Sequence, residues 1–389
     1  MECLINSKIY YKLEDNVIDW DKWRKQFPVT EKYIYLNHAG VAPLPLCVHQ
    51  AMRHFLDDAT YNGAVYSKHW EEAAETCRAN AAKLINSDVD EIAFMKNTSQ
   101  GIIIAANGIN WHEGDNVVTT AVEFPANVYP WWSLKRLGVE TRMVPERDRR
   151  IHIEDIEAAI DERTRCVTIS HVEFASGFRN DIAAIGELCR KKGIWFVVDA
   201  IQSVGAIGVD VKACNVDILA ADGHKWLLAP EGAAIFYCAK EKQDALINTN
   251  VGWAGVVNPR DFLNYDFTPQ PAATRFEEGS YNSVGLYGLD AAIELLLEIG
   301  VPNIEQRILD LTNHLIEGLR LKNYRLLTPT GESERSGIVV FESDRYSSAD
   351  LVERLRGENV IGAERGGVRL SPHFYNSEAE IDQVLALLS

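Results

Sequence analysis

Between about residues 115 and 238 the chain alternates short, continuously apolar, β-rich runs with helical stretches. No other feature constrains its fold as strongly. Residues 115–121 (DNVVTTA), 166–172 (CVTISHV), 194–199 (IWFVVD), 217–220 and 233–238 (AAIFYC) read as strands, and residues 182–192 (IAAIGELCRKK) as a helix ended by Gly193. Strands that are apolar on both faces need cover on both faces, and helices between them supply it. The expected class is α/β, with a large, doubly wound, mainly parallel sheet.

After about Tyr281 the texture changes. A long helix is expected over 285–299, then further helix and short strands such as 337–342 (GIVVFE). At roughly 150 residues per domain, 389 residues suggest a large domain over 30–282 and a smaller α+β domain from 1–29 and 283–389. The N-terminal Trp20, Trp23 and Phe27 are expected to pack on the smaller one. No repeat or low-complexity linker interrupts the chain.

The 39 Lys+Arg against 56 Asp+Glu give a net charge of −17, which argues against nucleic-acid or anionic-membrane partners. No apolar run is long enough for a membrane span. The first residues show no signal-peptide core, so a cytoplasmic location is expected. The seven cysteines are scattered without a C-x-x-C pair, which suggests free thiols and no metal site.

In open α/β sheets, ligands bind beyond the carboxyl ends of the strands. Three polar places lie there: Asp199, the Asp222-Gly223-His224-Lys225 turn, and His171 with the loop behind it. A lysine beside apolar Trp226-Leu227-Leu228 is either a snorkelling side chain or a Schiff-base nucleophile of lowered pKa. Asp199 is either a helix cap or the carboxylate that a pyridinium nitrogen requires, and Gln202 could donate to the phenolic oxygen of the same ring. Asn97-Thr98-Ser99-Gln100-Gly101 opens a helix, either as an ordinary cap or as an anion cradle.

These residues, with the ordered series VVDAIQS (197–203), GHKW (223–226) and RFEEGS (275–280), resemble the class V aminotransferase group of fold-type I pyridoxal-phosphate enzymes. That group includes cysteine desulfurases, cysteine C–S lyases, kynureninases and isopenicillin N epimerases. The resemblance implies pyridoxal 5'-phosphate as cofactor and Lys225 as its Schiff-base lysine. Asp199 and Gln202 would hold the ring, and Thr98, Ser99 and His224 the phosphate. Phe124 would stack on the ring. Ser280 would reach the phosphate of a partner subunit, so a homodimer with interfacial active sites is implied. Arg369, in Gly-Gly-Val-Arg-Leu-Ser-Pro, would grip the substrate α-carboxylate, and His38 and Ala39 would line the substrate side.

Two residues depart from the pattern. Glu173-Phe174 stands in the loop where desulfurases usually carry Asn, and Asp222 stands where Ser is common. An anion near a phosphate is unfavourable, so Asp222 is expected to turn away or to orient His224. The cofactor permits elimination, transamination or racemisation from a Cα carbanion. The preferred expectation is β-elimination on a cysteine-type amino acid, with transamination or epimerisation as alternatives. Neither G-x-G-x-x-G after a strand nor G-x-S-x-G is present, which removes the usual dehydrogenase and hydrolase signals. A regulatory pyridoxal-phosphate-binding protein would need neither Asp199 as electron sink partner nor Arg369 as clamp.

Overall fold

The computed structural model describes residues 18–388; Cys3 lies outside them. Seven strands form the main sheet: β1 (Ile92–Met95), β2 (Asn116–Thr120), β3 (Glu140–Val144), β4 (Thr164–Ser170), β5 (Trp195–Asp199), β6 (Ile218–Asp222) and β7 (Ala234–Cys238). Their order is β1-β7-β6-β5-β4-β2-β3, and only the two pairings of β7 are antiparallel. All strands but β7 therefore run the same way, and their carboxyl ends share one edge. The expected strands each appear, with ends shifted by one or two residues.

Alternate residues of each strand feed two separate cores. Val197, Ile218 and Phe236 face one side with Ile102, Ala105 and Trp131, while Val198, Leu219 and Ile235 face the other with Ile185 and Leu289. This double burial explains the continuous apolar runs in the sequence.

A four-stranded antiparallel sheet, β8 (Arg325–Leu326), β9 (Val339–Glu342), β10 (Ala363–Glu364) and β11 (Val368–Leu370), has the order β10-β11-β9-β8. Its apolar face packs on Leu311, Leu315, Leu319 and Ile381. The helix Ser283–Ile299, expected with this smaller unit, buries Leu286, Leu289 and Ile293 in the core of the main sheet instead. The apolar stripe of that helix faces Leu46–Asn62 and Ser67–Ile85, so chain texture changes before the packing does. The N-terminal aromatics meet the C-terminal segment: Phe27 stacks on Tyr375 at 3.8 Å, and Trp20 lies 6.1 Å from Phe374. No helix among the described residues is long and apolar enough to cross a membrane.

Candidate active site

The carboxyl edge of the main sheet gathers the chemistry. β6 ends at Asp222, and the chain turns at once through Gly223-His224-Lys225. Glycine is required there: a Cβ on Gly223 would sit 2.8 Å from the Ala233 carbonyl oxygen and the Ala229 methyl. The turn is fixed by Leu228 N–H donating to Lys225 O (3.1 Å) and Ala229 N–H to Gly223 O (2.9 Å). Leu228 adopts a left-handed φ of 59°, an uncommon state for a buried leucine, and local strain of this kind clusters at functional sites.

Lys225 projects from this turn with its Nζ 5.6 Å from the centroid of the Phe124 ring. Among the described residues no carboxylate lies within salt-bridge distance of it. Burial lowers its pKa to about 8, although the Asp199 carboxylate pulls the other way. An amine of this kind is a nucleophile near neutral pH. Phe124 is 45% exposed and meets Phe174 edge-on at 5.2 Å, so it is a ring bordering open space and not a core residue.

Asp199 closes β5, buried, and accepts from Ile201 N–H at 3.0 Å; burial pushes its pKa up to about 6. Gln202 is held from both ends. Trp226 Nε1 donates to its Oε1 (2.8 Å), and its own Nε2 donates to Ala39 O (3.1 Å), leaving one amide proton to give. The helix Thr98–Gly108 begins where β1 ends. Asn97 caps it by accepting from Gln100 N–H at 2.9 Å, so the Thr98 and Ser99 amides are its first-turn donors. Thr98 Oγ1 accepts the Asp222 N–H at 2.9 Å and keeps its own proton free to donate. The Asp222 carboxylate lies 3.0 Å from His224 Nδ1, a close contact without hydrogen-bond geometry.

Arg369 lies on β11, 3% exposed, with Nη1 donating to Phe174 O at 2.9 Å and Nε without a partner. Burial lowers its pKa to about 10, and the neighbouring Arg365 adds to the effect.

Two expected substrate contacts are placed otherwise. His38 is fully buried, its Nδ1 2.8 Å from Ser371 O and its Nε2 2.7 Å from the Tyr375 hydroxyl, and burial lowers its pKa to about 4. Ala39 N–H donates to Ser371 Oγ at 3.0 Å. Both residues brace the loop against the C-terminal segment, and neither keeps a free donor for substrate. Ser280 is exposed, two residues after Glu278, whose carboxylate accepts from Asn250 at 2.7 Å.

Sequence reasoning missed a buried acid. Glu123 accepts from Ser170 N–H (2.7 Å), Ser170 Oγ (2.5 Å) and Asn127 Nδ2 (3.1 Å). Glu173 accepts from Asn180 Nδ2 at 2.9 Å, with its second oxygen orphaned. Burial raises both carboxyls; Asp199 adds to the rise at both, and Glu123 to the rise at Glu173. The available signal was a glutamate two residues beyond an apolar strand, in Thr-Ala-Val-Glu-Phe.

The donor set suits an aromatic aldehyde bearing a phosphate. First-turn amides, hydroxyls and an imidazole would hold the anion, a carboxylate would meet a ring nitrogen, and a lysine would meet the aldehyde. The family profile described as "Aminotransferase class-V" matches residues 34–384. The chain belongs to the class V aminotransferase family. Curated relatives include a probable cysteine desulfurase of Methanothermobacter thermautotrophicus, 30% identical over 92% of this chain and 94% of the relative. Another is a cysteine desulfurase of Shigella sonnei, 31% identical over 94% and 96%. The apo structure of a cysteine desulfurase from Thermococcus onnurineus NA1 superposes with a TM-score of 0.86 at 27% identity, covering 95% of this chain and 96% of that one. A cystine C–S lyase at 24% identity shares the fold with the same score. This class V member therefore has the fold-type I architecture and is a pyridoxal-phosphate-dependent enzyme.

Proposed function

We propose that the protein catalyses β-elimination from a cysteine-type amino acid, releasing sulfide or a persulfide together with pyruvate and ammonia. The cysteine-type substrate is suggested by relatives named cysteine desulfurase at 30–31% identity. The choice of elimination rests on one observation: the segment 357–368 (GENVIGAERGGV), ahead of the carboxylate-binding Arg369, carries no cysteine.

In this reading the Arg369 guanidinium takes the α-carboxylate as a planar bidentate partner. Thr98, Ser99 and His224 hold the phosphate, Asp199 holds the proton on the ring nitrogen, and Gln202 gives its free amide proton to the phenolic oxygen. The cofactor supplies an electron sink conjugated to the substrate Cα. Lys225 Nζ, its pKa lowered by burial to about 8, removes the Cα proton. The Cβ–S bond then breaks with its electron pair leaving on sulfur, and no enzyme thiol is required.

We infer that the working form is a homodimer in the cytoplasm. Leu263, Tyr265 and Phe267 are 95%, 97% and 75% exposed on one loop, which favours cover by a second copy. Ser280, exposed, is then available to the partner's phosphate site.

Product analysis with cysteine and cystine tests the proposal. Pyruvate in step with sulfide, lost in Lys225→Ala, supports it. Stoichiometric alanine would overturn elimination, and a keto acid formed without sulfide would favour transamination.

A further inference from the structure

Arg369 is paired across the β10–β11 hairpin with Ala363, and Glu364 with Val368. The pairing continues into the turn, where Arg365 N–H donates to Gly367 O at 2.9 Å. Side chains alternate along a strand, so Ala363, Arg365, Gly367 and Arg369 share one face of the hairpin. Val368 and Leu370 turn to the other, into the small core. Arg365 and Arg369 are thus diagonal neighbours, roughly 7–8 Å apart at the backbone, with a glycine opposite Arg365 that leaves its path open. Like charges so placed repel unless an anion lies between them.

No protein anion does. Among the described residues no carboxylate comes within 4.0 Å of Arg365, Arg369 or Lys225, and the one hydrogen bond of the Arg365 guanidinium among them goes to its neighbour's carbonyl, Glu364 O, at 2.9 Å. Arg369 is buried with an unpartnered Nε. One α-carboxylate on Arg369 leaves Arg365 unmatched.

We infer that Arg365 is a second anion-binding residue of the substrate site, and that the enzyme selects amino acids carrying a further acidic group on the side chain: carboxylate, sulfinate, sulfonate or thiosulfonate. The field agrees, since Arg365 lowers the pKa of both Lys225 and Arg369. The inference rests on the proposed role of Arg369 as α-carboxylate clamp.

The test is calorimetric titration of cofactor-loaded enzyme with succinate and with butyrate, which have equal carbon number and differ by one carboxylate. Wild type is expected to bind succinate at least about tenfold tighter than butyrate, the scale of one charge-assisted hydrogen bond. Arg365→Gln, on an exposed turn, should erase that advantage with butyrate unchanged, and Arg365→Lys should keep part of it. An equal preference in Arg365→Gln and wild type, or no measurable succinate binding, overturns the inference. Arg369→Gln should weaken both ligands. If it weakens neither, the clamp reading fails, and that result is distinct from failure at Arg365.

Discussion

The Asp222 carboxylate lies 3.0 Å from Nδ1 of His224, while the Asp222 N–H is held by the Thr98 hydroxyl oxygen at 2.9 Å. One residue thus ties the helix that starts at Thr98 to the imidazole beside it. An acid here would be tolerable near a phosphate because one of its oxygens lies against the imidazole. Asp222→Ala is expected to weaken cofactor binding by about tenfold, the order of one lost charge-assisted contact. Asp222→Asn, which keeps an acceptor, should lose less. Titration of cofactor-free protein with pyridoxal phosphate measures both, and equal affinity in all three proteins would remove the orienting role.

Asp199 has a different duty. In the proposed reading its anion would keep a proton on the ring nitrogen, and that proton would make the ring an electron sink. Asp199→Asn still accepts from Ile201 N–H and should fold, but turnover is expected to fall by roughly 10²–10⁴. Near-normal kcat with retained cofactor would make Asp199 a structural cap.

Phe124 separates packing from binding. At 45% exposure it contributes little to the core, so Phe124→Ala should shift stability by about 1 kcal/mol or less. Loss of a stacked ring is worth about 0.5–1.5 kcal/mol, which corresponds to a two- to tenfold weaker hold on cofactor. Thermal unfolding without cofactor and a cofactor titration distinguish the two effects. A large stability loss with unchanged cofactor affinity would contradict the placement.

What was legible in the sequence follows from this division. The strands of the main sheet declared themselves because both faces are buried, and the places of Asp199, Lys225 and Thr98 in the fold were legible because strand ends and a helix start are local features. The bracing role of His38 was not legible: its partners Ser371 and Tyr375 lie over 300 residues away, and only the fold brings them together. The helix Ser283–Ile299 was assigned by the chain's change of texture, whereas its apolar stripe decides where it packs. The acidity of Glu123 and Glu173 is likewise a product of burial, which a sequence does not display.

Those buried acids predict a pH dependence. Burial raises Glu123 and Glu173 above the ordinary 4.5, and Asp199 from 3.8 to about 6. Between those values the folded chain keeps protons that the unfolded chain has released. Stability of the cofactor-free protein therefore falls as pH rises from about 4 to about 7, and for Glu173 above that as well, by on the order of 1–3 kcal/mol per fully shifted group. Glu173→Gln still accepts from Asn180 and carries no charge to bury. It should be more stable than wild type near pH 8 and show a shallower slope. Unfolding midpoints across that range decide it; parallel slopes in the two proteins would mean that Glu173 is ionised throughout.

The last prediction is that no persulfide forms on the enzyme during turnover. A thiol that attacks substrate sulfur must be exposed, ionisable and close to the carboxylate clamp. Every described cysteine fails at least one of these conditions. Cys77, Cys166, Cys189 and Cys238 are buried, and burial raises all four thiols. Cys214 is pushed up to about 11, and the half-buried Cys47, also raised by burial, turns its thiol to Ala291 O at 3.9 Å. Sulfur must then leave with its own electron pair and appear in solution. Mass spectrometry of the protein after turnover with cysteine should show the unmodified chain, and free sulfide should match pyruvate. An adduct of one sulfur atom on a cysteine, formed in step with alanine, would show that a thiol does reach the site and that sulfur is transferred to it.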